Sequence, residues 1–221
     1  MQSFFNYMEE TKHIIFDLDG TIIDSKAEII STYQKVIEQI PTEFKVDLTA
    51  IDFGANLNQV LAYIYQTDVS KIPAAKDLFA NLYDSSNFEK TVVYEKVHET
   101  LKKLLDNGKS LYVATNKRYI PSQKILEIKQ LKPYFKDIIG NEMSPNVSMT
   151  KSKMIEYLMN KNNFKNGFMI GDTVGDIDAG KANGLTTIAV SYGYQSLEEL
   201  EKVSPNYISN SFENLLKFVL T

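Results

Sequence analysis

Apolar positions along the chain follow two alternating spacings. Short β-branched and aromatic runs, His13-Ile14-Ile15-Phe16, Leu111-Tyr112-Val113-Ala114, Phe168-Met169-Ile170 and Thr187-Ile188-Ala189-Val190, each stop abruptly at polar, acidic or glycine-rich sequence. Buried parallel strands have this pattern, and Ile138-Ile139 is a shorter run of the same kind. Between the runs, apolar residues recur at helical intervals. Val97, Leu101, Leu104 and Leu105 lead to the stop signal Asn107-Gly108, and Ile125, Ile128 and Leu131 lead to Pro133. Met154, Ile155, Leu158 and Met159 form another such face, and Leu215, Leu216, Val219 and Leu220 close the chain. Strand and helix in alternation predict an α/β fold, a three-layer doubly wound parallel sheet with helices on both faces.

One stretch breaks the alternation. From about Ser25 to about Lys90 the spacing is helical throughout, with Ala27, Ile30, Tyr33 and Ile37 on one face, then Leu57, Val60, Leu61 and Ile64, then Leu78, Phe79 and Leu82. The expected organisation is a core of residues 1–22 and 91–221 with a helical insert over 23–90. An insert that leaves after the first strand and returns before the second sits above the carboxyl ends of the strands, where open α/β sheets bind ligands.

Composition narrows the class. The 221 residues are 43% hydrophobic and 24% charged, as in an ordinary globular protein, and the net charge of −4 supplies no field for nucleic acid or anionic lipid. The absence of cysteine removes disulfides, thiolate nucleophiles and cysteine-held zinc, and fits the cytoplasm. The stretch MQSFFNYMEETK lacks the basic and apolar regions of a signal peptide, and no window reaches the ~18 apolar residues of a membrane span. A monomer or weak homodimer, with no membrane or nucleic-acid partner, is expected.

The candidate chemistry lies at the strand ends. Asp17 and Asp19 end the first strand before Gly20-Thr21. At positions i and i+2 of an extended chain they share one side, where they serve either a solvated turn or a site with a hard cation. Gly171-Asp172-Thr173-Val174-Gly175-Asp176 follows the strand at Phe168–Ile170. If the two strands are neighbours, Asp172 meets Asp17 and Asp19 around one point; Asp176 is also suited to a helix N-terminus. The run Gly175 to Ala182 nearly matches a phosphate-cradling loop but ends in alanine instead of the metal-binding hydroxyl, and its aspartates repel phosphate. With His13 and His98 as the only histidines, one opening a strand and one in a helix, a serine triad has little support.

Thr115 and Asn116, at the end of the second long strand, supply a hydroxyl, an amide and backbone donors for either a capped loop or a phosphate. Arg118, the only arginine, suits a second anionic group or the surface. Lys151 stands at a helix start, where it opposes the helix dipole and is better explained by a nearby anion.

Taken in order, Phe16-Asp17-Leu18-Asp19-Gly20-Thr21, Thr115-Asn116, Lys151 and Gly171-Asp172-Thr173-Val174-Gly175-Asp176 resemble the four motifs of the haloacid dehalogenase superfamily of phosphatases. The resemblance extends to an α-helical cap between the first and second motifs, as in the phosphoglycolate phosphatase-like branch. It implies a Mg²⁺-dependent hydrolase of small phosphorylated metabolites. Asp17 would be the nucleophile that forms an aspartyl-phosphate, and Asp19 the general acid and base. Mg²⁺ would bind Asp17, the backbone carbonyl of Asp19 and Asp172, with Asp176 in support. Thr115 and Asn116 would hold phosphate oxygens, and Lys151 would neutralise the transferring group.

An acid at Asp19 favours phosphoryl transfer over dehalogenation, because a halide leaving group needs no proton. The third motif departs from the common Lys-Pro, reading Lys151-Ser152 with Lys153 close by. The segment Ile51 to Leu57, with Gly54 and Asn56, resembles the cap loop that reaches the site, and it carries no cation. Elsewhere in the cap, charge could come from Lys26, Lys45, Lys71 or Lys76. The cap's lack of arginine favours a hydrolase over a phosphosugar mutase. A pyrophosphatase, and a phospho-accepting or partner-binding module without turnover, compete with the phosphatase.

Overall fold

The computed structural model describes residues 12–66, 68–143 and 149–220; most of the N-terminal stretch considered for a signal peptide lies outside them. In chain order the elements are β1 (His13–Phe16), β2 (Ile23–Asp24), α1 (Lys26–Gln39), α2 (Leu57–Tyr65), α3 (Ile72–Ser85), β3 (Val92–Val93), α4 (Val97–Asp106), β4 (Ser110–Arg118), α5 (Tyr119–Ile128) and β5 (Asp137–Asn141). They continue with α6 (Lys151–Lys161), β6 (Phe168–Gly171), α7 (Val174–Ala182), β7 (Thr186–Val190), α8 (Leu197–Lys202), β8 (Tyr207–Ser209) and α9 (Leu216–Val219).

Six strands form one sheet in the order β5-β4-β1-β6-β7-β8, every pair parallel. Alternating residues of each central strand point to opposite faces. Ile14, Phe16, Leu111, Val113, Phe168 and Ile170 pack with Val97, Leu101, Leu104 and Ile125 of α4 and α5 on one side. Ile15, Tyr112, Ala114 and Met169 pack with Met154, Ile155 and Leu158 of α6 and Ala179 of α7 on the other. Burial on both faces is why these strands read as continuous apolar runs, and the three-layer α/β expectation holds.

Helices α1, α2 and α3 form the cap. Its neck is a two-residue antiparallel ribbon, with Ile23 opposite Val93 and Asp24 opposite Val92. The buried face of α1 differs from the expected one: Glu28, Thr32, Tyr33 and Val36 are buried, and Ala27 is exposed. A buried carboxylate causes the rotation. Glu28 accepts hydrogen bonds from Ser86 Oγ at 2.6 Å and from Lys90 N at 2.9 Å, tying the first cap helix to the returning chain. In α3 the buried positions are Ala75, Phe79 and Tyr83, with Leu78 and Leu82 half-buried.

Helix α5 stops at Ile128, which is exposed, instead of running to Pro133, because Gln130 turns left-handed at φ 57°. His13 stacks on Phe164 at 4.2 Å and His98 bonds Tyr134, packing roles for both histidines. Among the described residues, no helix is long and apolar enough to cross a membrane.

Candidate active site

The sheet order makes β1 the central strand, flanked by β4 and β6. Asp17 continues the ladder past β1, its N–H donating to Ile170 O at 2.9 Å, so its side chain is delivered beside the end of β6. Asp172 follows two residues later. It is fully buried, accepting from Thr21 Oγ1 at 3.0 Å and from Tyr194 N at 2.8 Å. Asp176 occupies the third position of α7 in a reciprocal capping box, its Oδ2 accepting from Thr173 Oγ1 at 2.7 Å and Thr173 N at 3.1 Å.

Lys151 opens α6 with Thr150 as its N-cap, and it is buried. Its ammonium pairs with Asp17 Oδ1, lies 2.8 Å from Asp176 Oδ1 and donates to Ala114 O at 2.8 Å. Lys153 instead pairs with Glu156 on the surface, so Lys151 is the lysine that faces the acids.

Two glycines permit this crowding. Gly20 has φ +78°, and a side chain there would overlap the Asp172 carboxylate; one at Gly193 would strike the same aspartate from the other side.

Ligand oxygens of Asp17, Asp172 and Asp176 lie within 4.8 Å of one another, all three buried. One ammonium faces three carboxylates, which leaves an excess of negative charge. Asp176 Oδ1 is buried with no hydrogen-bond donor in line. Burial, and then the charge on Asp176, pushes Asp172 up to about 7. Burial also raises Asp17 well above the ordinary carboxylate range, against the pull of Lys151. Burial opposes the charge on Lys151, but Asp17 and Asp176 outweigh it and hold the ammonium above the ordinary lysine value. An all-oxygen, electron-rich cluster of this kind fits a hard divalent cation such as Mg²⁺.

A metal-binding role here predicts a pH-dependent stabilisation. Without metal, Asp172 keeps a proton that the unfolded chain loses, so stability falls as pH rises from about 4 through about 7. A bound divalent ion needs the ionised form and restores that loss. Thermal unfolding with ~10 mM Mg²⁺ is expected to show a Tm increase of about 5–10 °C near pH 8 and little near pH 5. Equal shifts at both values would remove Asp172 from the metal site.

Asp19 sits outside this cluster at the cavity. Its Oδ1 accepts from Ser25 Oγ at 2.5 Å and its Oδ2 pairs with Lys117 at 3.0 Å. Thr115 is buried at the cavity wall and Asn116 is exposed there. The cavity holds about 870 Å³ between the strand ends and the cap and is lined by Asp17, Asp19, Thr115, Asn116, Lys151 and Asp176 among others.

The cap-loop residues reach it. Both Gly54 and Asn56 line the wall; the Gly54 N–H donates to Asp52 Oδ1 at 2.8 Å, and the Asn56 side-chain oxygen caps α2, accepting from Gln59 N at 3.1 Å. Arg118, suited by sequence to a second anionic group or the surface, lines the cavity and grips Asp84 of α3 with two guanidinium nitrogens, at 2.9 and 2.5 Å. Of the cap lysines only Lys76 lines the cavity; Lys26 lies over the Tyr194 ring at 4.6 Å, Lys71 pairs with Asp68 at 2.9 Å, and Lys45 is exposed.

Several residues of this site were not singled out from the sequence. Lys117 is buried between Asp19 and the Tyr83 hydroxyl, to which it donates at 2.7 Å, and those partners outweigh burial and raise its pKa. Its place directly after Thr115-Asn116 was the available signal. Tyr194, Gly193 and Ser25 act through backbone groups or tertiary contacts that leave no local pattern.

Comparison with known proteins agrees with this geometry. Residues 14–190 match the family of haloacid dehalogenase-like hydrolases. A phosphoglycolate phosphatase of Vibrio parahaemolyticus is 28% identical, with 96% of this chain and 97% of that protein aligned. A 5'-nucleotidase of Pseudomonas aeruginosa is 27% identical over 88% of this chain and 89% of its own length. The crystal structure of a predicted phosphatase from Clostridium acetobutylicum superposes with a TM-score of 0.83 at 32% identity, covering 95% of this chain and 98% of that one. The chain, with its acids and lysine converging at the carboxyl edge of a parallel sheet beneath a helical cap, belongs to the haloacid dehalogenase-like hydrolases.

Proposed function

We propose that the protein is a Mg²⁺-dependent phosphatase that hydrolyses small phosphomonoesters through an aspartyl-phosphate. The observation that carries this reading is the placement of Asp17 against Lys151 and two further buried carboxylates, with Asp19 two residues on at the cavity. Asp17, Asp172 and Asp176 would hold the cation together with the Asp19 carbonyl. When bound, it supplies Lewis-acid charge that offsets the repulsion between phosphate and carboxylates.

In the first half-reaction a carboxylate oxygen of Asp17 forms the bond to phosphorus as the ester P–O bond breaks, and Asp19 gives its proton to the departing alcohol oxygen. In the second, Asp19 takes a proton from water, whose oxygen attacks phosphorus and releases Asp17 and inorganic phosphate. Thr115 and the Asn116 amide orient the phosphoryl oxygens, and Lys151 balances the charge that accumulates between Asp17 and the phosphate. Support for hydrolysis over transfer to a second phosphate comes from a cap segment, residues 23–90, that carries no arginine. A core of 1–22 and 91–221 with a cap over 23–90 is the corresponding domain division.

Relatives are named for phosphoglycolate and for 5'-nucleotides, whose leaving groups differ in charge. Phosphate release from both classes and from p-nitrophenyl phosphate, with Mg²⁺ and with EDTA, tests the reading. Turnover is expected to require the metal and to fall by about 10²-fold or more with EDTA. Metal-independent release would refute it.

A further inference from the structure

We propose, building on the phosphatase reading, that the cavity beneath the cap is shaped for an uncharged leaving group with a flat ring. Nucleoside 5'-monophosphates would then be preferred over esters whose alcohol carries a carboxylate or second phosphate.

Charge is the first argument. Beyond the corner formed by Asp17, Asp176 and Lys151, the lining acids are Asp19, Asp52, Asp77 and Glu142, against the cations Lys76, Lys117 and Arg118. Lys117 is held by Asp19 and the Tyr83 hydroxyl, and Arg118 by both oxygens of Asp84. Lys76 is exposed, as are Asp52, Asp77 and Glu142, where charges contribute little. A second anion on the substrate would have to displace Asp19 from Lys117 or Asp84 from Arg118, so the wall selects against it.

Shape is the second argument. Tyr33, Phe79 and Tyr83 form a ring ladder across α1 and α3, with centroids 4.5 and 5.4 Å apart, and all three line the cavity. Aromatic walls of this kind suit a planar ring. At about 870 Å³ the space is far larger than a two-carbon alcohol requires.

The third argument is an unused polar group. Tyr33 lines the cavity, where its hydroxyl makes no hydrogen bond to another described residue and is not among the buried, unpartnered atoms, so it opens into the cavity. A base or ribose oxygen could take the place of water on it.

The test compares kcat/KM for adenosine and uridine 5'-monophosphates with that for phosphoglycolate, using the full chain with Mg²⁺, and measures adenosine binding by ligand-observed NMR. The nucleotides are expected to lead by about tenfold or more, and Phe79→Ala to cut that ratio by about tenfold. Tyr33→Phe, which removes one oxygen and preserves packing, is expected to cut it about threefold and to weaken adenosine binding in step. A higher kcat/KM for phosphoglycolate, or a ratio unmoved by Tyr33→Phe, overturns the proposal. Adenosine binding without hydrolysis of any ester would overturn the phosphatase reading instead and keep the nucleoside site.

Discussion

Asp17→Asn is expected to abolish turnover, by about 10⁴-fold or more, while making the metal-free protein more stable. The two effects share one cause. Asp17 is buried beside Asp172 and Asp176, and burial together with those charges raises its pKa despite the Lys151 ammonium. A group whose charge is disfavoured by folding costs stability at neutral pH, and a neutral isostere relieves that cost. The amide still accepts a hydrogen bond from Lys151 but cannot attack phosphorus. Phosphate release and thermal unfolding near pH 8 without metal measure the pair. A variant that retains turnover excludes Asp17 as the nucleophile, and one that unfolds earlier than the parent shows that Asp17 is a stabilising partner of Lys151.

Lys151→Met should act in the opposite sense on stability. The ammonium pairs with two of the three buried carboxylates, Asp17 and Asp176, and it also donates to Ala114 O at 2.8 Å. Removing one partner of a buried ion pair while the others stay leaves uncompensated charge, at a cost of about 3–5 kcal/mol. On the proposed mechanism turnover falls with it, because the charge that would balance Asp17 against the incoming phosphate is gone. Urea titration provides the measurement, and Mg²⁺ should recover part of the loss by supplying positive charge to the same carboxylates. A denaturation midpoint equal to the parent's would show that Lys151 is not the counterion of the cluster.

Much of this was legible in the sequence because the sheet is buried on both faces. Central strands β1, β4, β6 and β7 are uninterrupted apolar runs, and the acids that end β1 and β6 stand where adjacent parallel strands bring them together. What escaped notice was carried by geometry at longer range. Strand β8 is an edge strand with Tyr207 and Ile208 exposed, so it has no apolar run to read. The buried face of α1 departs from its apolar spacing because a charged residue, Glu28, points inward, and only its partners Ser86 and Lys90, some sixty positions away, explain it. Arg118 was legible as a bidentate cation but not by its partner, since Asp84 on the cap carries no motif. Lys117, next to Thr115 and Asn116, carries no pattern of its own because a lysine is ordinarily solvated; only Asp19 and the Tyr83 hydroxyl explain its burial.

The narrow neck at β2 and β3 carries an engineering consequence. Both crossings into the cap lie side by side on a ribbon of two residue pairs, and the six-stranded sheet draws none of its register from the chain between them. Lengthening a segment whose ends are pinned together adds only about 0.6 kcal/mol per doubling. The segment beyond that ribbon is therefore a cassette: transplanting another helical insert between Ser25 and Val92 leaves the strand ends in register and Ser25 against Asp19, while it replaces the ceiling above them and frees Lys117 and Arg118 from Tyr83 and Asp84.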